Sequence, residues 1–228
     1  MAAEGERADI VAKSRRDGKA ATLGLILAGG AGRRMGGADK AGLMLAGRPL
    51  LAHVTARLGP QVTALALSAN GDPGRFAAFG LPVLADPIPA RPGPLAGILA
   101  ALRYLARERP EMADLLVVPV DTPFLPADLG ARLDAARRAA GARIAIAASA
   151  GRLHPAVVLL PADAGLAEAL AAGLARGERR GGAFFTAHGA AIADYGDLAP
   201  DPFRNLNTPA DLAAAEADWR AGAGGLAG

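Results

Sequence analysis

At 228 residues the chain suits one well-cored domain built on Leu, Ile, Val and Ala, and lacking cysteine it has no disulfide, thiolate metal site or thiol nucleophile. Its formal net charge is only +3, its basic residues are scattered and nearly all arginine, and no aromatics alternate with them, which argues against a nucleic-acid surface. No apolar run approaches the roughly 20 residues of a membrane span, and residues 1–21 lack the apolar stretch of a signal peptide, so a cytoplasmic protein without a membrane partner is expected.

Residues 1–21 mix both charge signs without a sustained period and read as a flexible extension. Thr22–Ala28 is a short apolar run that stops at Gly29-Gly30, as a buried parallel strand does. Pro49–Leu58 opens with proline and carries apolar residues at helical spacing. Gln61–Ser68 predicts a second strand and Leu81–Ala85 a short third. Leu95–Arg109 reads as a helix with Pro110 just beyond it. Asp114–Val120 is a fourth apolar strand that ends abruptly at Asp121, and Ala127–Ala140 is a helix closed by Gly141. Arg143–Ala148 and Ala156–Leu160 predict further strands. Thr208–Asp218 is the last helix, with Pro209 and Asp211 in its first turn. Residues 220–228 are low in complexity and read as a tail.

This order predicts an α/β fold: a single Rossmann-like domain over residues 22–219, with a mostly parallel twisted sheet and helices on both faces. Ligands bind such sheets beyond the carboxyl ends of the strands. The candidate site is therefore Gly29–Lys40, Ser68–Asn70, Asp86 and Asp121.

Five of the nine residues from Gly29 to Gly37 are glycine, which lets the backbone approach an anion and turn its N–H groups inward. Arg33, Arg34 and Lys40 add positive charge around the same turn, a combination suited to a triphosphate. A Walker A loop is excluded, because Lys40 follows Asp39 and precedes Ala41. A dinucleotide fingerprint starting at Gly30 meets Met35 where its third glycine belongs. Leu27-Ala28-Gly29-Gly30, Arg34-Met35-Gly36-Gly37 and Asp39-Lys40 instead resemble the signature of the molybdenum cofactor guanylyltransferases, members of a wider nucleotidylyltransferase superfamily. The likeness covers nearly all of residues 22–218. It continues through Gly47-Arg48-Pro49-Leu50, Pro92-Gly93-Pro94-Leu95-Ala96-Gly97, Asp121-Thr122-Pro123, His154-Pro155, Gly177-Glu178-Arg179-Arg180 and Asn205-Leu206-Asn207-Thr208-Pro209.

The resemblance implies transfer of GMP from GTP to the terminal phosphate of molybdenum-molybdopterin, with Mg²⁺ as cofactor and pyrophosphate as leaving group. It also points to molybdenum-insertion proteins and molybdoenzyme chaperones as protein partners. It assigns Leu27, Ala28, Gly29, Gly30, Gly37, Lys40, Ser68, Asn70, Asp86 and Asp121 to the nucleotide, and Asp121 to the metal. Asp121, Arg34 and Lys40 would carry catalysis, and Gly97, Arg179, Arg180, Asn205 and Asn207 would face the pterin.

The residues themselves carry these roles unevenly. Asp121 ends an apolar strand on a charge, where Mg²⁺ needs only one or two carboxylates beside phosphates and waters; its plain alternative is a turn residue. Asp86 is either a nucleotide contact or the turn residue before Pro87. The family often has Asn-Ala-Asn where this chain has Ser68-Ala69-Asn70, and a hydroxyl cannot offer an amide's separate donor and acceptor. Pro92–Gly97 either aims a helix N-terminus at an anion or simply enters the helix. Taken alone, His154 reads as a satisfied structural histidine and Arg179-Arg180 as a solvated doublet, which the resemblance turns toward the cofactor. Asn205 and Asn207 flank Leu206 at strand spacing, so both amides share a face and either meet a pterin edge or cap the helix at Thr208. The reaction needs no covalent nucleophile; it needs two anions positioned and the developing charge neutralised. GTP is expected over CTP, because cytidylyl relatives generally carry alanine at the position of Gly29. The rivals are a cytidylyltransferase for the same pterin, a guanylyltransferase for another phosphorylated acceptor, and a nucleotide-binding module without turnover, which the presence of Asp121 disfavours.

Overall fold

The computed structural model describes residues 20–29, 40–88 and 93–223. Strand β1 (Thr22–Leu27) is buried from Leu23 to Ile26, as an apolar strand between two helical layers should be. A 3₁₀ turn at Lys40–Gly42 leads into a small hairpin, β2 (Met44–Leu45) and β3 (Arg48–Pro49). Its two turn residues, Ala46 and Gly47, both have positive φ, which matches the twist of the strands they join. Helix α1 (Leu50–Leu58) follows, then β4 (Ala64–Ser68), a 3₁₀ stretch at Pro73–Phe79, β5 (Val83–Leu84), α2 (Pro94–Glu108) and β6 (Asp114–Pro119). The second half comprises α3 (Leu129–Ala139), β7 (Ala145–Ser149), β8 (Arg152–Pro161), α4 (Ala164–Ala175), α5 (Gly181–Ala187), β9 (Ala191–Asp194) and α6 (Pro209–Asp218).

Seven strands form one sheet in the order β5-β4-β1-β6-β8-β7-β9, and only the pairings of β8 are antiparallel. Alternation along the strands divides the core. Leu115 and Val117 of β6 pack with residues of α2, α4 and α5, whereas Leu116 and Val118 pack with α1 and α3. The α/β class, the mostly parallel sheet and the helices on both faces are thus as the sequence implies.

Several boundaries differ, for physical reasons. Ala21, expected within the extension over residues 1–21, is buried, and its carbonyl accepts from the N–H of Ala113 at 2.8 Å; residues 1–19 lie outside the described residues. Gln61 belongs to a 3₁₀ turn, so the second strand starts only at Ala64. The tail expected from residue 220 is in part a π-helical turn, Trp219–Ala223, continuing α6. Ala156–Leu160 is only the second half of the ten-residue β8. Ile146 pairs with Val158 but Ala147 pairs with His154, so Pro155, Ala156 and Val157 bulge out of the ladder. Proline suits that place, since it has no N–H to give the ladder.

Candidate active site

The bulge determines where the site lies. Strands β6 and β8 stay paired only as far as Val117 and Val158. Past that point a cleft of about 560 Å³ opens, lined by Pro119–Thr122 at the carboxyl end of β6 and by Arg152–Val157 of β8. Leu27, Lys40, Asp201, Asn205, Asn207 and Asp211 complete much of the lining. This is the kind of place where an α/β sheet takes its ligands, where neighbouring strands part beyond their paired ends.

Asp121 stands at the carboxyl end of β6 and is only 8% exposed. Its carboxylate accepts from the Lys40 Nζ at 2.6 Å, and the same ammonium donates to Asn207 Oδ1 at 2.5 Å. Behind the side chain, the Asp121 carbonyl accepts the N–H of Leu206 at 2.9 Å. Leu206 itself is buried with Leu45, Leu50 and Phe124, so Asn205 and Asn207 on either side of it are left to the cleft, as their spacing implies. The helix cap is made by other residues. Thr208 Oγ1 accepts from Asp211 N–H at 3.1 Å, and Asp211 Oδ2 accepts from the N–H groups of Thr208 and Asn207 at 2.8 and 2.9 Å. This capping box fixes the backbone that presents Asn207. Thr208→Ala should therefore lower stability by about 1 kcal/mol in urea denaturation; an unchanged midpoint would show that the box contributes nothing.

The residues expected at the nucleotide lie at the ends of β1, β4 and β5. Ala28 is buried, and its N–H donates to the Ser68 carbonyl at 2.8 Å. Gly29 is exposed, and among the described residues a Cβ there would meet only the Ser68 carbonyl, at 3.8 Å. Asn70 and Asp86 hold each other: the Asn70 amide donates to Asp86 Oδ2 at 2.8 Å, and Asp86 N–H donates to Asn70 Oδ1 at 3.0 Å. Ser68 is buried against Gly97, where a methyl group would collide with its hydroxyl and press on Leu27. Close packing thus accounts for the glycine at 97, expected on the pterin side. Among these residues only Leu27 joins Lys40 and Asp121 in lining the cleft. Gly30, Arg34 and Gly37 lie outside the described residues.

The arginine doublet is not part of that lining. Arg179 donates to the carbonyls of Leu174 and Glu178 at 3.1 and 2.9 Å, closing the C-terminal end of α4, and Arg180 is exposed at the start of α5. The adjoining Gly181 packs on Pro155 of the bulge, so the doublet sits beside the cleft's β8 wall. Sequence reasoning left out Ser149, Arg152, Asp201 and Arg204, and turned His154 toward the cofactor only through the family resemblance. Arg152, His154, Asp201 and Arg204 line the cleft, and Ser149 does not. Ser149 ends an apolar strand just as Asp121 does, and that signal could have flagged it.

Residues 24–192 match the family model of the MobA-like NTP transferase domain. The chain belongs to the MobA-like NTP transferase family. It is accordingly a nucleotidyltransferase. A molybdenum cofactor guanylyltransferase of Cereibacter sphaeroides is 56% identical over 195 residues, which span 85% of this chain and 95% of that protein. One from Acidiphilium cryptum is 51% identical across 85% of this chain and 93% of its own length. Among solved structures, molybdopterin-guanine dinucleotide biosynthesis protein A from Archaeoglobus fulgidus superposes with a TM-score of 0.68, at 23% identity, over 87% of this chain and 99% of that one. The 4-diphosphocytidyl-2C-methyl-D-erythritol synthase of Anaerococcus prevotii gives the same TM-score at 11% identity, over 88% and 96% of the two chains. At such identities these two structures establish that this NTP transferase shares their fold.

Proposed function

We propose that this transferase moves GMP from GTP to the terminal phosphate of molybdenum-molybdopterin. An acceptor phosphate oxygen attacks the α-phosphorus, the bond from that phosphorus to the bridging oxygen breaks, and pyrophosphate leaves with the electron pair. The observation that carries this reading is the identity of 56% over nearly the whole length of a molybdenum cofactor guanylyltransferase, in a chain whose cleft joins a carboxylate, an ammonium and two amides.

Asp121 would hold Mg²⁺. Among the described residues no three His, Asp or Glu side chains gather to cage a metal, and the Asp121 carboxylate paired with the Lys40 ammonium fits an ion that takes most of its ligands from phosphates and water. When bound, the metal supplies positive charge to the phosphate oxygens. Lys40, now matched to Asp121, is in reach of the same region and would turn to the leaving pyrophosphate. Asn205 and Asn207 offer donors and acceptors to the pterin edge, while Asn70 and Asp86 would serve the base. Arg34 and the glycines of its loop would hold the triphosphate. The work is placed in the cytoplasm, with molybdenum-insertion proteins and molybdoenzyme chaperones as the protein partners.

Pyrophosphate release with molybdenum-molybdopterin, GTP or CTP and equal Mg²⁺ tests the assignment. GTP should exceed CTP in kcat/KM by at least about 10-fold, since a site built to hydrogen-bond one base leaves buried groups unpaired with the other. Equal or better use of CTP would overturn the guanylyl assignment and leave nucleotidyl transfer standing.

A further inference from the structure

The wall of the cleft formed by β8 carries a hydrogen-bonded chain that the transfer reaction does not explain. Ser149, at the end of β7, is its middle member. The Ser149 hydroxyl donates to Asp201 Oδ1 at 2.7 Å, and His154 Nε2 lies 2.7 Å from the same hydroxyl oxygen. A hydroxyl has a single proton to give. With that proton on the Asp201 side, the contact with His154 is favourable only if the imidazole carries hydrogen on Nε2 and donates it. The neutral ring then keeps its lone pair on Nδ1. Burial holds the His154 pKa below the usual histidine value, and Arg152 acts in the same direction, against Asp201 and the Ser149 carbonyl. Phe203 packs against the ring with centroids 5.0 Å apart, which limits its rotation.

We propose that His154 reads the acceptor: its Nδ1 accepts an N–H from the pterin ring, and Asp201 and Ser149 hold the tautomer that makes it an acceptor. This inference rests on the transfer to a pterin proposed above. The chemistry favours the heterocycle over the phosphate for this contact. A ring lone pair beside the Asp201 carboxylate repels a phosphate dianion, whereas a pterin edge presents amino and ring N–H donors. Asn205, Asn207 and His154 line one cleft, so a pterin there would have acceptors from both β8 and the segment after it. An acceptor fixed in this way discriminates strongly, because a ligand lacking the matching N–H leaves the lone pair facing nothing.

Asparagine and glutamine separate the two ring nitrogens. His154→Gln places an amide N–H near the position of Nε2 and keeps the Ser149 contact, but has no acceptor at Nδ1. His154→Asn places its carbonyl oxygen near Nδ1 and gives up Ser149. The probe is metal-free molybdopterin, titrated calorimetrically into the full chain, with GTP and Mg²⁺ titrated into the same preparations to report the folded site. His154→Gln should bind the pterin about 10-fold more weakly or worse, His154→Asn should stay close to the wild type, and GTP affinity should hold in all three. Wild-type pterin affinity in His154→Gln, with a loss in His154→Asn, would make the chain a structural brace and overturn the proposal. A wild-type protein that binds GTP but no pterin would remove the acceptor reading itself, and this inference with it.

Discussion

Asp121→Asn should fold like the wild type and turn over at least about 10²-fold more slowly. The substitution keeps the side-chain volume and removes one negative charge from the end of β6. On the proposed mechanism that charge holds the metal on the phosphate oxygens, and losing one preorganised electrostatic group commonly costs rates of this order. The fold has little reason to fail. An asparagine oxygen still accepts from Lys40, whose ammonium also keeps Asn207, and the Asp121 carbonyl that receives Leu206 is backbone. Circular dichroism and the urea midpoint check the fold, and pyrophosphate release at limiting Mg²⁺ checks the rate. Near-normal turnover there would remove Asp121 from the metal site.

The opposite pattern is expected for Arg137→Leu: a loss of about 3 kcal/mol of stability with the rate of the folded enzyme preserved. Asp114 begins β6, at the far end of the strand from Asp121, and its side chain is only 7% exposed. The Arg137 guanidinium grips both its oxygens, at 2.8 and 2.6 Å, and so pins α3 to the sheet. Removing one partner of such a pair strands the other charge in a poorly solvated place, which is why breaking it costs more than the pair contributes. Arg137→Leu combined with Asp114→Leu should recover much of the loss, because no stranded carboxylate remains. Urea denaturation of the single and double variants decides the matter. A single-variant loss under about 1 kcal/mol would show that water reaches Asp114 freely.

Why some of the molecule was legible in the sequence and some was not follows from the range of the interactions. Strands β1 and β6 are apolar runs because helices cover both faces, and each ends one residue before the run gives way to Gly29 or Asp121, so their ends could be read to within a residue. Asp121 was recognisable for the same reason. Helix α4 and helix α5 were not foreseen: Ala164–Ala175 is so rich in Ala and Leu that its buried face has little polar contrast. Strand β9 is four residues at the sheet edge, with Ile192 exposed and Ala193 buried, a pattern too short and too mild to stand out. The contacts that make the site are the least local of all. Lys40 meets Asp121 across 81 residues, and Ser149 meets Asp201 across 52. The bulge at Pro155 exists only relative to its partner strand. Family likeness supplied Asn205 and Asn207, but it gave no hint that His154 is held by a serine and an aspartate.

The N–H of Leu206 on the Asp121 carbonyl has a consequence for how the site can be altered. One peptide unit carries the acid on its side chain and suspends the amide-bearing segment from its backbone, so those two parts move as one piece. Asn70 and Asp86 are fastened to each other instead, and none of their hydrogen bonds reaches that piece. The half proposed for the base is therefore a separable module, whereas the half proposed for metal and acceptor is not. Exchanging the loops after β4 and β5 for those of a relative with another base preference leaves the acid and the amides in register. Any graft that tilts the peptide after β6 would instead disturb both substrates' contacts together, whichever one it was meant to change.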